Sequence, residues 1–230
     1  MSNSSVTNVC MDSSGFLWIS TELGLNKFDG KKFRKYTSYN SAITDNQITN
    51  VVPTSNNILF VTTGTSGFFV FDGKENKAQK SSVNFSAHVF KVNKLIERKG
   101  IVYILNSNSN KIKMFDLKKG LIADSIVVLG SFINDFDIAD NGEVIIATEN
   151  GLKIYKDKII SNCERTPYFR ASIGSVVAKK NQVFFSLKGK IIQYDRVKRL
   201  VVDSISYDST LSFVNKMFVD KRNNLWFATN

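Results

Sequence analysis

Six polar side chains stand at one recurring place in this 230-residue chain: Asn8, Asn50, Lys94, Asp135, Ser175 and Lys216. Amides, ammonium groups, a hydroxyl and a carboxylate can hydrogen-bond hydroxyls or pair with charge, so the set could hold a polar ligand. A catalytic reading finds less to stand on. The single histidine, His88, has no nucleophile motif beside it, and a Ser-His-Asp arrangement is defined by geometry that spacing does not supply. His88 is read as a surface or cap residue. No Gly-rich phosphate loop ending in Lys-Ser or Lys-Thr occurs, and no paired metal-type histidines. A glycosidase draws its two carboxylates from distant strands, so Asp135 stays a candidate for acid chemistry there. Asp12, Asp140 and Asp220 precede turns, where a carboxylate can bond the amides that follow. None of these copies supplies the alternating oxygen ligands of a calcium loop, and neither metal nor cofactor is expected. Cys10 and Cys163 are isolated and read as small packing residues.

The elements that place the six polar residues come from a repeat. The apolar triplets Leu17-Trp18-Ile19, Leu59-Phe60-Val61, Val102-Tyr103-Ile104, Val144-Ile145-Ile146, Val183-Phe184-Phe185 and Leu225-Trp226-Phe227 have centres 42, 43, 42, 39 and 42 positions apart. About eleven residues upstream of each lies a segment of the kind Val6-Thr7-Asn8-Val9 or Ile48-Thr49-Asn50-Val51, which carries the polar residue. About ten residues downstream comes an aromatic that usually precedes Asp, as in Phe28-Asp29, Phe71-Asp72, Phe115-Asp116 and Tyr194-Asp195; Tyr155 lacks the Asp. Asp29-Gly30, Asp72-Gly73, Asn141-Gly142, Asn56-Asn57 and Asn223-Asn224 fall between apolar runs, where hairpins need residues that tolerate positive φ. Runs of Val, Ile, Phe and Tyr without a 3.6-residue period argue against helices.

Each unit therefore has three clear strands and room for a fourth, which is the signature of a propeller blade. The expected fold is all-β: one β-propeller domain over residues 1–230, built of four-stranded antiparallel blades at about 6–47, 48–91, 92–132, 133–172, 173–213 and 214–230. The last is incomplete, so about five and a half blades are present. Unclosed strand edges should make the chain less stable, or more prone to associate, than one extended through further repeats. Trp18 and Trp226 are read as wedges between neighbouring blades. If the first strand of each blade lines a central channel, the six polar residues ring one mouth of it. A solvated rim without a ligand is the competing reading.

Composition agrees with a folded protein: 43% hydrophobic, 12% aromatic and 22% charged residues, with two prolines. The longest apolar runs, such as Val144 to Ala147, fall far short of the roughly 20 residues a membrane helix requires, and the start MSNSSVTNVC has no signal-peptide pattern. The net charge of +11 favours anionic partners, yet its basic pairs, such as Lys31-Lys32 and Lys118-Lys119, sit where turns are expected. Nucleic acid ranks last, because no aromatic-interleaved basic motif is visible.

Residues 12–36, DSSGFLWISTELGLNKFDGKKFRKY, resemble the two-component regulator propeller repeat, with Ser20 in place of a usual glycine. Asp220 to Asn230 is similar to the first half of that pattern, and Asp140 to Leu152 to most of it without the Trp. The resemblance implies an extracytoplasmic sensor region of a hybrid two-component regulator, in which two propellers precede an immunoglobulin-like domain, a membrane helix and a histidine kinase. It implies a non-catalytic role for this chain on the periplasmic side, an oligosaccharide ligand that the positive charge would suit if acidic, and as partners the second propeller, the immunoglobulin-like domain or a second copy in a homodimer. The rival readings are a propeller-class polysaccharide lyase or glycosidase, and a protein-interaction platform.

Overall fold

The computed structural model describes residues 1–54, 58–65, 67–80, 92–163, 168, 170–208, 214–220 and 222–229. His88 and the Asn56-Asn57 pair lie outside the described residues. Among the described residues, twenty-two strands form antiparallel meanders in chain order. The first sheet holds β1 (Val6–Met11), β2 (Leu17–Thr21), β3 (Gly24–Phe28) and β4 (Phe33–Tyr36). The second holds β5 (Ile48–Pro53), β6 (Leu59–Thr63), β7 (Phe68–Asp72) and β8 (Lys77–Lys80), and the third β9 (Val92–Arg98), β10 (Ile101–Asn106), β11 (Lys111–Asp116) and β12 (Leu121–Val127). The fourth holds β13 (Ile133–Ile138), β14 (Val144–Thr148), β15 (Gly151–Lys156) and β16 (Ile159–Asn162), and the fifth β17 (Val176–Lys179), β18 (Gln182–Leu187), β19 (Lys190–Asp195) and β20 (Leu200–Ser206). The sixth pairs β21 (Val214–Val219) with β22 (Leu225–Thr229). The fold is that of β-propeller blades, with the expected fourth strand present in the first five.

By compactness the chain divides into two units, Met1–Ser107 with Ile112–Ser125, and Asn108–Lys111 with Ile126–Asn230. In the first unit, a core of Trp18, Leu25, Tyr36, Ile48, Val51 and Phe71 joins the first two sheets, and Phe60, Phe68, Val102, Ile104 and Phe115 join the second and third. In the second unit, Ile145, Leu152, Val176, Phe185, Ile192 and Tyr194 lie between the fourth and fifth sheets. The central residue of each apolar triplet is thus scaffold wherever a further sheet packs on it.

The turns explain the motif. Asp12 Oδ1 accepts from the amides of Ser14 and Phe16, each at 3.0 Å, while its Oδ2 accepts from Trp18 Nε1 at 2.8 Å. Asp220 repeats this with Arg222 N at 2.8 Å, Asn224 N at 2.9 Å and Trp226 Nε1 at 3.1 Å. The Trp226 hydrogen bond, with those of Asn224, holds the Asp220 carboxyl down at about 2. Because its folded-state value lies below the ordinary 3.8, its stabilising contribution is present above about pH 4 and is lost as pH falls through about 2. In the fourth sheet the turn bond Gly142 N to Ala139 O corresponds to Gly15 N to Asp12 O. Ala139, not Asp140, therefore occupies the Asp12 position, and where the carboxylate is absent the Trp is replaced by Ile145.

The second motif also has a mechanical cause. Asp29, Asp72, Asp116 and Asp195 each cap the turn after the third strand, their Oδ1 atoms accepting from the amides two and three residues on at 2.7 to 3.1 Å. The fourth sheet makes that turn with Asp157 and Lys158 at φ 50° and 64°. A two-residue turn of this kind leaves no loop amides to cap, so Tyr155 needs no following Asp. Gly24 has φ 133°, and a Cβ there would lie 2.7 Å from Tyr36 O, so the glycine after Thr21 is a steric requirement.

Trp18 is 2% exposed, stands edge-on to Phe71 and lies so close over Gly73 that a Cβ there would come within 2.5 Å of its ring. Trp226, its counterpart, is 61% exposed, and Phe218 on the paired strand is 62% exposed. Trp18 is a wedge between the first two sheets, and Trp226 is exposed, with no sheet packed over it among the described residues. Trp18→Ala should cost about 3–5 kcal/mol by opening a cavity between the first two sheets, and Trp226→Ala under about 1 kcal/mol. Chemical denaturation of the two variants checks this; equal losses would contradict it.

Candidate functional site

The first strand of a sheet has a neighbour on one side only, and its outward amides and side chains are free to serve elsewhere. In β1, β5, β9, β13 and β21 the pairing with the second strand slips by one residue near the start of the first strand. The residue skipped is Thr7, Thr49, Asn93, Asn134 or Asn215. A bulge of this kind re-aims the side chains around it. Thr7 Oγ1 donates to Ile48 O of the next sheet at 2.7 Å, and Asn134 Nδ2 to Ile173 O at 2.8 Å. The residue directly after each bulge is one of the six polar positions: Asn8, Asn50, Lys94, Asp135 and Lys216, with Ser175 just ahead of the fifth sheet's β17.

In the second unit two of these positions, Asp135 and Ser175, are committed to the fold. Asp135 is 8% exposed; its Oδ1 accepts from Phe136 N at 2.8 Å, and its Oδ2 from Ser175 Oγ at 2.8 Å and Val176 N at 2.9 Å. Two residues on, and so on the same face, Asp137 does the same: Oδ1 accepts from Ile138 N at 2.9 Å and Oδ2 from Ala178 N at 2.7 Å. Two carboxylates thus tie β13 to the outward amides of β17. The sequence reading missed Asp137, although its spacing of two from Asp135 was the available signal. The structure brings Asp135 and Ser175 into direct contact, with Ser175 fully buried, while Lys216 on β21 is exposed.

In the first unit the corresponding residues are amides and a lysine. Asn50 is 7% exposed and its Oδ1 accepts from Val51 N at 3.1 Å. Lys94 is half-buried on β9. Asn8 Oδ1 and Asn106 Oδ1 are buried acceptors without a partner among the described residues. A buried amide oxygen left in this state costs about 1–3 kcal/mol, which a hydroxyl or ammonium donor would recover. No group of three or more His, Cys, Asp or Glu among the described residues could hold a metal ion. Burial, helped by the Asp12 charge, pushes the Cys10 thiol up to about 12, so it is a neutral packing group.

Residues 1–22 match the family model of the two component regulator propeller, so the first copy of the repeat carries that signature. Comparison with curated proteins gives no match. Among solved structures, the extracellular domain of a B. thetaiotaomicron protein described as a hybrid two component system is 19% identical, with a TM-score of 0.59 over 100% of this chain and 39% of that one. A domain from the same organism described as a one component system is 15% identical, with a TM-score of 0.62 over 99% of this chain and 39% of that one. A virginiamycin B lyase from Staphylococcus aureus is 12% identical, with a TM-score of 0.75 over 100% of this chain and 79% of that one. At these identities the likeness is one of fold. The chain spans about two fifths of the B. thetaiotaomicron domains it matches.

Asp135→Asn should lower stability by about 1.5–3 kcal/mol, because an amide offers one acceptor where the carboxylate serves three donors. Denaturant titration reads it. An unchanged midpoint would show that the carboxylate bridge is not structural.

Proposed function

We propose that the chain is the ligand-sensing propeller portion of a hybrid two-component regulator, held on the periplasmic side of a membrane-anchored sensor, and that it binds an oligosaccharide without transforming it. The single observation that carries the ligand is the pair of buried amide oxygens without a partner among the described residues, Asn8 Oδ1 and Asn106 Oδ1, in a unit whose first strands also carry Asn50 and Lys94. Amide and ammonium groups are donors and acceptors suited to sugar hydroxyls and to the carboxylates or sulfates of acidic glycans. The match of residues 1–22 to the regulator propeller model, and the fold shared with extracellular domains of two component proteins, support the sensing role.

A sugar signals through such a protein only if it binds one arrangement of domains more tightly than another. In this reading the arrangement involves a second propeller, an immunoglobulin-like domain or a second copy, and the response passes to a kinase. The rival reading, a propeller-class lyase, has a fold likeness in its favour. Against it, Asp135 is already bonded to three donors.

Calorimetry against neutral and acidic oligosaccharides tests the proposal. Asn8→Ala should weaken binding by about 0.5–1.5 kcal/mol, and Lys94→Ala by roughly 1.5–3 kcal/mol for an acidic glycan, with the fold retained. Affinities equal to the unsubstituted chain would remove these residues from the site, and bond cleavage in a polysaccharide panel would favour the enzyme.

A further inference from the structure

Away from the first strands, the second unit holds a cleft of about 670 Å³ between the outer strands of the fourth sheet and the turn after β19. That volume suits a small organic ligand. Tyr194 and Cys163, 2% and 5% exposed, belong to the core beneath it, and Ile154 and Ile160 supply an apolar wall. Burial pushes the Cys163 thiol up, so it brings no negative charge.

Three cations, Lys156, Arg196 and Arg199, line this space with one carboxylate, Glu143. Arg196 anchors the group: its side chain is 8% exposed, an unusual depth for a guanidinium. Nε donates to Lys180 O at 3.1 Å, and Nη1 donates to Asn141 Oδ1 at 2.9 Å and to Glu143. Nη2 keeps two N–H donors that no described residue takes up, in a residue that lines the cleft. Glu143 also pairs with Lys156 at 3.1 Å. Burial works against its charge, but hydrogen bonds from Asn141 and Lys156 and the Arg196 charge hold its carboxyl below the ordinary range.

Arg199 has no acidic partner among the described residues. The neighbouring Asp195 is turned into its own loop, with Oδ1 on the amides of Val197 and Lys198. The cleft therefore keeps excess positive charge beside an apolar wall, with the Nη2 donors of a fixed guanidinium at its base. Charged N–H donors of this kind bond the oxygens of sulfate, phosphate or carboxylate groups.

We infer that this cleft is an oxyanion-binding site, taking a sulfate, phosphate or carboxylate group carried on a small polar molecule, with Arg196 as the buried anchor and Arg199 and Lys156 as the outer contacts. It is separate from the first-strand polar residues and does not depend on their role.

Calorimetry at low ionic strength with inorganic sulfate, inorganic phosphate and glucuronate, and with glucose as the neutral control, tests it. Saturable binding of at least one anion and none of glucose is expected. A preference for glucuronate over the inorganic ions would assign a sugar acid, and the reverse a free anion. Arg199 sits at φ 56°, which Asn tolerates, so Arg199→Asn should leave the melting temperature unchanged and weaken binding on the order of tenfold. Lys156→Gln should weaken it less, and Asn8→Ala not at all. Absence of saturable binding to the folded chain, or equal affinity in both Arg199→Asn and Lys156→Gln, would overturn the assignment.

Discussion

An edge strand with unpaired amides is the constraint on which this structure turns. Each four-stranded meander leaves the outward amides of its first strand without a ladder partner, and such an edge invites pairing with any other chain. Between the fourth and fifth sheets the answer is electrostatic. Asp135 and Asp137, spaced by two on β13, each place one carboxylate oxygen on their own following amide and the other on an amide of β17. Two strands that are not in one ladder are joined by a ladder of side chains. Charge-assisted bonds to buried carboxylates are among the stronger ones a protein makes, and here each oxygen is used.

The bulge one residue earlier makes this possible. It re-aims the first strand so that Thr7 or Asn134 reaches the next sheet's backbone and the following residue turns inward. One geometric position can then be filled in two ways. Filled by Asp with a Ser or amide donor opposite, it is a joint. Filled by Asn it makes no such bridge among the described residues: Asn50 Oδ1 accepts only from the amide that follows it, and Asn8 Oδ1 has no partner among the described residues. A scaffold that repeats thus carries at one position a carboxylate bonded to the next sheet in one copy and an amide oxygen without a described partner in another.

Much of this was legible in the sequence, because the repeat obeys local rules. The strand triplets, the Asp-capped turns and the Thr-Gly turn at Gly24 each follow from backbone chemistry within a few residues. What was not legible depended on register. Asp140 looked like the partner of Asp12, but turn hydrogen bonds assign that place to Ala139, a one-residue offset that spacing alone does not resolve. Trp226 carries the same motif as Trp18, and its exposure reflects what packs on the sheet and not what the sheet is. Asp135 and Ser175 were grouped with the other mouth residues as recognition candidates. Their direct bond is a contact across forty residues of sequence, and no local pattern announces it.

The most direct test is native-state hydrogen exchange at the Val176 and Ala178 amides. Both point away from β18, on the side of β17 where no strand pairs, so an unsupported edge would exchange them as fast as open backbone. With the Asp135 and Asp137 carboxylates bonded to them, they should be protected to the same degree as Phe184 and Phe185 in the middle of the sheet. Rapid exchange at these two positions, in a protein whose β18 and β19 amides remain protected, would contradict the account.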